Sequence, residues 1–210
     1  MVVLQPLKVN IKKGSVTKRK LSVPDFPDAP DKGSHEISFS DVIFIEKDDF
    51  MEVGEKGYRR LTKDQIVGLR YAGYALKFLN VAKKDNNGAP LEIDVEAIAV
   101  DQVATKPKAF IHWVCGVDSK KIEVRLYERL FKHKNPEDTS VVPGGFLADV
   151  DENSLTVVSD ALADVHLCKI AKVWNKYQFE RIGFFSVDPD TSVSNLVFNR
   201  TVSLKEDAGK

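Results

Sequence analysis

Short segments in which apolar and polar residues alternate recur along this chain, and they constrain its fold more than any other feature. In residues 91–99, apolar side chains alternate with Glu92, Asp94 and Glu96. Residues 122–127 repeat the pattern, with Glu123 and Arg125 between apolar positions. A period of two is typical of a strand with one face in a hydrophobic core. The chain is therefore expected to be built mainly from β-strands.

Turn-forming clusters separate these strands from further β-rich runs. The runs are residues 42–45, 74–81, 110–114, 184–187 and 196–198, and the clusters are residues 83–88, 143–145 and 188–190. Asn87-Gly88 predicts a β-hairpin, because both residue types tolerate positive φ. Helical spacing is brief, at residues 62–69 and 146–155. Many short strands favour a sandwich or barrels, so the predicted fold class is all-β with a few short helices.

The composition limits the classes of function. Lys plus Arg and Asp plus Glu both number 31, so a nucleic-acid-binding surface would require basic residues to be concentrated on one face. The two cysteines, Cys115 and Cys168, form no CxxC pair, which fits a reducing compartment. No apolar run approaches the roughly 18 residues of a membrane span. The sequence therefore predicts a cytoplasmic protein without a membrane partner.

No group of residues has the pattern of an active site. A cysteine nucleophile would need a histidine beside it, and His112 and Cys115 lie in an apolar, aromatic segment typical of packed core. No pair of histidines or cysteines has metal-ligand spacing supported by a second pair. Phosphate-binding glycine loops are also missing from the sequence. Carboxylate pairs are left open, but nothing singles one out. We therefore predict no catalytic residue and no metal site.

Basic and aromatic residues occur together in three places. Tyr58-Arg59-Arg60-Leu61, Arg70-Tyr71 and Tyr177-Gln178-Phe179-Glu180-Arg181 each combine rings with guanidinium groups. Such side chains stack on unpaired RNA bases and hydrogen-bond their edges. Lys12, Lys13, Lys18, Arg19 and Lys20 are candidates for phosphate contacts. For Arg125 and Arg129, ion pairing with Glu123 and Glu128 is the favoured interpretation. For Arg60 and Arg181, composition alone does not separate RNA contact from a structural role.

Several longer motifs resemble one family. They are KAFIHWV at 108–114, EVRLYERLF at 123–131, NPED at 135–138, QFERIGFF at 178–185 and VFNRTV at 197–202. In this order they resemble the C-terminal anticodon-binding region of glutaminyl-tRNA synthetases, most closely the eukaryotic form. The resemblance implies two antiparallel β-barrels in series. The proximal barrel would comprise residues 1–49 plus 138–210, and the distal barrel residues 50–137.

The resemblance also implies RNA-binding residues. Arg59, Arg60 and Arg70 fall at anticodon-contact positions of the family, and Gln178 and Arg181 at positions that recognise the central anticodon base. Gly68 stands where the bacterial pattern has arginine, so recognition of the first base is expected to differ. A further family arginine would precede the first residue. The chain is thus expected to be a fragment that binds RNA more weakly than the full enzyme.

The implied partners are glutamine tRNA, through its anticodon loop, the enzyme's own catalytic domain and a multi-synthetase complex. No cofactor is expected for this chain, because ATP and glutamine are used by the catalytic half of such a class I ligase. The chain alone is expected to be catalytically inactive. One alternative is the anticodon-binding region of a glutamyl-tRNA synthetase. Two others are a protein-interaction β-barrel module and a barrel that binds ribosomal RNA.

Overall fold

A computed structural model describes residues 1–14 and 19–204 and confirms the all-β prediction. The strands are β1 (Val2–Val3), β2 (Pro6–Lys13), β3 (Arg19–Pro24), β4 (Ser34–Phe39), β5 (Val42–Glu46), β6 (Val67–Leu69), β7 (Tyr74–Lys84), β8 (Pro90–Ala99), β9 (Phe110–Ile111), β10 (Val114–Cys115), β11 (Ser119–Tyr127), β12 (Leu155–Asp164), β13 (Lys176–Phe179), β14 (Gly183–Val187) and β15 (Val197–Ser203). The helix α1 (Val165–Ile170) follows β12, and 3-10 helices span Pro30–Lys32, Lys47–Asp49 and Phe146–Asp149.

Most of the first half of the chain forms a seven-stranded sheet. Its order is β10-β5-β2-β8-β7-β6-β9. The two edge strands, β9 and β10, are separated in sequence only by His112 and Trp113. Because so short a connection joins opposite edges, the sheet must curl until those edges meet. The side chains that face inward then enclose a core with Trp113 and Phe39 in edge-to-face contact.

The second sheet has six strands, in the order β1-β12-β11-β15-β14-β13. Its core is built around Phe179, Phe185 and Phe198, with Phe179 and Phe185 stacked. Strands β3 and β4 form a separate two-stranded hairpin. In the described residues, no helix is both long and apolar enough to cross a membrane.

The strand pairing refines the prediction of antiparallel barrels. Most neighbouring strands run antiparallel, but β2 pairs with β8, β6 with β9 and β11 with β15 in parallel. The barrel boundaries near residues 50 and 138 stay predictions, and the structure gives the strand membership of each sheet. The seven-stranded sheet takes its strands from between Pro6 and Cys115, and the six-stranded sheet combines β1 with strands from Ser119 onward. Pairing of distant strands determines these limits, and local sequence patterns do not report it.

Predictions of individual elements agree with the structure where the alternation of apolar and polar residues extends over many residues. Strands β7 and β8 form the predicted antiparallel hairpin, and its turn has Gly88 at φ 84°. The helical interpretation of residues 62–69 is wrong, because this segment is a loop followed by β6. Residues 146–155 contain only a single 3-10 helix before β12 begins at Leu155. Val67 and Leu69, two residues apart, are buried and reach the core from strand β6.

Candidate nucleic-acid interface

A buried carboxylate, Asp49, binds two of the predicted RNA-contacting arginines. Asp49 ends the Lys47–Asp49 helix, and only 1% of its side chain is exposed. It accepts from Arg60 Nε at 3.0 Å. Both Nη atoms of Arg181 also donate to it, at 2.8 and 2.7 Å. Hydrogen bonds between charged groups are strong, and a buried charge requires such partners. Asp49 therefore joins residues that lie far apart in the sequence.

Arg60 lies inside the protein. Its side chain is 3% exposed, and its carbonyl oxygen accepts from Gln65 Nε2 at 2.6 Å. The next residue, Leu61, donates its backbone N–H to the Asp49 carbonyl at 3.1 Å. Backbone and side chain are thus both bound to the Asp49 segment. This geometry gives Arg60 a structural role and leaves little of its surface for a base.

Arg181 carries the contact from one sheet to the other. It lies in the turn between β13 and β14 at φ 66°, and its side chain is 13% exposed. Besides Asp49 it contacts His112 Nδ1, at 3.2 Å from Nη1. Since the guanidinium only donates, Nδ1 accepts, and Nε2 then carries the hydrogen that faces Glu46 Oε1 at 3.3 Å. The β13–β14 turn is thereby held against the seven-stranded sheet.

Glu180, the neighbour of Arg181, binds the end of β6. One of its oxygens, Oε1, accepts from Arg70 Nη1 at 2.5 Å and from the Tyr71 hydroxyl at 2.8 Å. The Arg70 carbonyl in turn accepts from Trp113 Nε1 at 2.9 Å. Arg70, Arg181 and their partners therefore form one connected set of contacts between the sheets, which we call the inter-sheet network: Asp49, Arg60, Arg70, Tyr71, His112, Glu180 and Arg181.

The network perturbs Tyr71 in a way that can be measured. Burial, and then the hydrogen bond to Glu180, raise the pKa of Tyr71 to about 12. Because the folded state holds this proton more tightly, the associated stability is fully present below pH 10 and is lost as the pH rises toward 12. Absorbance titration of tyrosinate is expected to show this late ionisation. The step from Tyr71 should move to lower pH in Glu180→Gln and disappear in Tyr71→Phe, whereas Tyr58, whose pKa is also raised by burial, keeps a separate late step in both variants. An unchanged titration in both variants would contradict the assignment.

The other two predicted RNA contacts are accessible. Arg59 and Gln178 are both exposed. Gln178 in β13 pairs with Phe184 in β14, and Phe184 pairs with Val202 in β15. Residues directly opposite each other across strands project from the same face. An amide therefore lies beside an exposed aromatic ring, next to the turn that Arg181 fixes.

Phe110 explains why residue 68 is glycine. A Cβ on Gly68 would lie 2.4 Å from the Phe110 ring, which is closer than real contacts allow. Gly68 and Phe110 are paired in the parallel strands β6 and β9. A larger residue at 68 would displace this partly exposed ring. The glycine at position 68 thus leaves the space that the Phe110 ring occupies from the neighbouring strand.

The lysine-rich segment is only partly described. Lys12 and Lys13 are exposed at the end of β2, while Lys18 lies outside the described residues. Lys20 is bound to Asp118 at 3.0 Å, and Arg19 donates to the Ala72 carbonyl at 2.8 Å. Both are thus engaged in contacts within the protein. The favoured interpretation of Arg125 agrees with the structure, since its Nε donates to Glu123 at 2.8 Å, although Glu128 pairs with Arg200.

Sequence reasoning missed the acidic half of the site. Asp49 and Glu180 hold the arginines, but nothing in their local sequence distinguishes them from solvated residues, and His112 is predicted only as packed core. Phe110 and Phe184 were expected only as strand residues. Their exposure beside the basic groups is visible only once the sheets are assembled.

Comparison with known proteins identifies related sequences. Two family models match, both described as the anticodon-binding domain of class I tRNA synthetases (E and Q), over residues 1–98 and 110–188. A probable glutamine–tRNA ligase of Drosophila melanogaster is 54% identical over 211 residues, covering 100% of this chain and 26% of that protein. The Bos taurus glutamine–tRNA ligase is 49% identical, with coverages of 100% and 27%.

A plant relative extends the comparison. The cytoplasmic glutamine–tRNA ligase of Arabidopsis thaliana is 38% identical over 218 residues, covering 100% of this chain and 26% of that protein. The chain thus spans about a quarter of the length of these relatives. Both family models carry the same description and together match most of the chain. The chain belongs to the anticodon-binding domain family of the class I tRNA synthetases for glutamate and glutamine.

Proposed function

We propose that this chain recognises the anticodon of glutamine tRNA as part of a cytoplasmic glutamine–tRNA ligase. The observation that carries the proposal is the inter-sheet network, which fixes the β13–β14 turn beside exposed Gln178 and Phe184. An amide next to an aromatic ring can hydrogen-bond and stack an unpaired base. Relatives that match the whole chain at 47–54% identity carry the name glutamine–tRNA ligase. Ligation with ATP and glutamine would belong to the rest of the enzyme.

The five predicted residues divide into two roles in this proposal. Arg59, Arg70, Gln178 and Arg181 are the candidates for contact with the anticodon loop. Arg60 acts through Asp49 and is a positioning residue, because its guanidinium is buried. Phe110, packed over Gly68, is a candidate surface for stacking of another base.

A titration with RNA hairpins tests the proposal. The chain is titrated at near-physiological salt with the glutamine-tRNA anticodon stem-loop and with the same hairpin carrying a swapped central base. We expect tighter binding of the cognate loop. A glutamate-tRNA stem-loop serves as the second comparison. Tighter binding of that stem-loop would favour the alternative that the chain is the anticodon-binding region of a glutamyl-tRNA synthetase. Equal binding of all hairpins would argue for recognition of RNA shape instead.

Gln178→Ala separates base recognition from folding. A paired hydrogen-bond contact to a base contributes about 1–3 kcal/mol of discrimination. We expect the variant to lose about this much preference for the cognate central base, measured in the same titration. Because Gln178 is exposed, its free energy of unfolding should change by less than about 0.5 kcal/mol. Lys176→Ala is the control, because Lys176 is exposed on the same strand. It should lower the affinity for all hairpins equally or not at all.

Docking in a multi-synthetase complex is a second proposal. Phe146 and Leu147, in the Phe146–Asp149 helix, are large apolar side chains that are exposed to solvent. Exposed apolar groups that lie together are typical of protein-contact surfaces. Replacing both by serine should leave hairpin binding unchanged and reduce co-sedimentation of the full-length enzyme with other synthetases. Unchanged co-sedimentation would remove this surface from consideration.

A further inference from the structure

We infer that Asp25, His35 and His166 form a binding site for a divalent transition-metal ion of the Zn²⁺ type. One ligand atom from each side chain lies within 4.8 Å of the other two. Two imidazole nitrogens and a carboxylate oxygen are a donor set that Zn²⁺, Co²⁺ and Ni²⁺ accept, with water at the remaining positions. These residues are not among those proposed to contact RNA.

Three separate elements supply the ligands. Asp25 follows β3 directly, and His35 lies in β4 opposite Val23. His166 is in the first turn of α1, which extends from the end of β12. The N-cap of this helix is fixed, since Asp164 Oδ1 accepts from the Leu167 N–H at 3.1 Å. A metal ion here would therefore connect the β3–β4 hairpin to the six-stranded sheet.

The loop backbone turns the Asp25 carboxylate toward the histidines. The Asp25 N–H donates to the Gly33 carbonyl at 3.0 Å, which closes the loop. Gly33 has φ 131°, and a Cβ there would lie 2.6 Å from Asp25 Oδ2. The absence of a side chain at residue 33 thus makes room for the carboxylate. Asp25 Oδ1 is 2.6 Å from His35 Nδ1.

The two imidazoles are held together as well. The rings of His35 and His166 are stacked, with centroids 4.3 Å apart and an angle of 12° between their planes. Ligands of a tetrahedral Zn²⁺ with bonds of about 2.0–2.1 Å are separated by roughly 3.3 Å. In stacked rings the nitrogen lone pairs run side by side, so binding of one ion requires the two rings to tilt until both ligand nitrogens face it. Asp25 is partly exposed, so its carboxylate has room to follow. The site is open enough to solvent for an ion to enter.

Metal binding at this site has two expected consequences. Since the ligands come from elements that are distant in the unfolded chain, Zn²⁺ should bind the native state preferentially and raise its melting temperature. Isothermal titration of the chain with Zn²⁺ at neutral pH is expected to show one ion per chain. Loss of even an outer-shell partner commonly costs about 10- to 100-fold in metal affinity. We expect the affinity for Zn²⁺ to fall by at least that factor in each of three variants, Asp25→Asn, His35→Ala and His166→Ala.

Matched controls separate this site from other donors. His133→Ala removes an exposed imidazole that is bound to Asp149 at 2.6 Å, and Cys168→Ser removes the thiol that α1 contributes. Both should keep the wild-type Zn²⁺ affinity, whereas Gly33→Ala should lower it. Circular dichroism verifies that each variant is folded, and Co²⁺ absorption reports whether sulfur is a ligand. Wild-type affinity in folded Asp25, His35 and His166 variants, or a Co²⁺–thiolate band, would overturn the inference.

Discussion

Replacing Asp49 by alanine is expected to lower the free energy of unfolding by about 3–5 kcal/mol, because it leaves two guanidinium groups near one another without their shared carboxylate. Arg60 would be left with its charge buried, since 3% of its side chain is exposed. Removal of one member of a buried ion pair costs more than the pair contributes, because the remaining buried charge loses the carboxylate that offset its desolvation. Denaturant unfolding followed by circular dichroism measures this change.

Asp48 provides the matched control for Asp49. Both residues belong to the Lys47–Asp49 helix, but Asp48 is exposed. Asp48→Ala should therefore change the free energy of unfolding by less than about 0.5 kcal/mol. Asp49→Asn keeps the shape and one acceptor oxygen, so we expect an intermediate loss. Equal stability of the Asp48 and Asp49 variants would show that the carboxylate does not hold the network.

The same variants link the network to recognition. Arg181 is fixed by two hydrogen bonds to Asp49, so a folded Asp49→Asn protein should hold the β13–β14 turn less firmly. We expect it to lose preference for the cognate central base while keeping its general affinity for RNA. Phosphate contacts provide that general affinity and do not depend on base geometry.

The sequence predicts the fold class because long alternating segments report the burial of one strand face. The segment 91–99 becomes β8, and its inward residues Ile93 and Val95 are fully buried. The sequence does not predict which strands pair with one another. The parallel pairing of β2 with β8 joins two segments that are far apart in the sequence, and no local pattern encodes this pairing. Sheet membership depends on such pairing, so the barrel boundaries near residues 50 and 138 remain predictions from the sequence.

For the predicted RNA-binding residues too, the sequence identifies the residues but not their contacts. Sequence motifs identify Arg60 and Arg181 as candidates for contact with RNA bases, but composition does not distinguish a base contact from a buried ion pair. The outcome depends on Asp49, which is distant in sequence from Arg181 and has no motif of its own. Asp25, His35 and His166 are also brought together only by tertiary contacts, whereas the prediction of no metal site rests on local spacing. Groups assembled by tertiary contacts require the structure.

Trp113 is the second residue whose removal should have a large effect. Its ring is fully buried where the edges of the seven-stranded sheet meet, in contact with Phe39 at a centroid distance of 5.1 Å. Truncation of a buried tryptophan to alanine removes apolar contacts and leaves a cavity, at a cost of about 3–5 kcal/mol. Trp113→Ala should destabilise the protein by this amount in denaturant unfolding. Trp174, the other tryptophan, is largely exposed, so Trp174→Ala is the control.

A Trp113→Phe variant distinguishes packing from hydrogen bonding. Phenylalanine fills much of the same space but cannot replace the hydrogen bond from Nε1 to the Arg70 carbonyl. An unsatisfied buried acceptor costs about 1–3 kcal/mol, so Trp113→Phe should be less destabilised than Trp113→Ala but not equal to wild type. Because Arg70 also binds Glu180, and His112 binds Arg181, loss of Trp113 should loosen the inter-sheet network from the core side. If Trp113→Ala were as stable as Trp174→Ala, the curled sheet would not close on this side chain, and the packing that supports the RNA-binding proposal would be wrong.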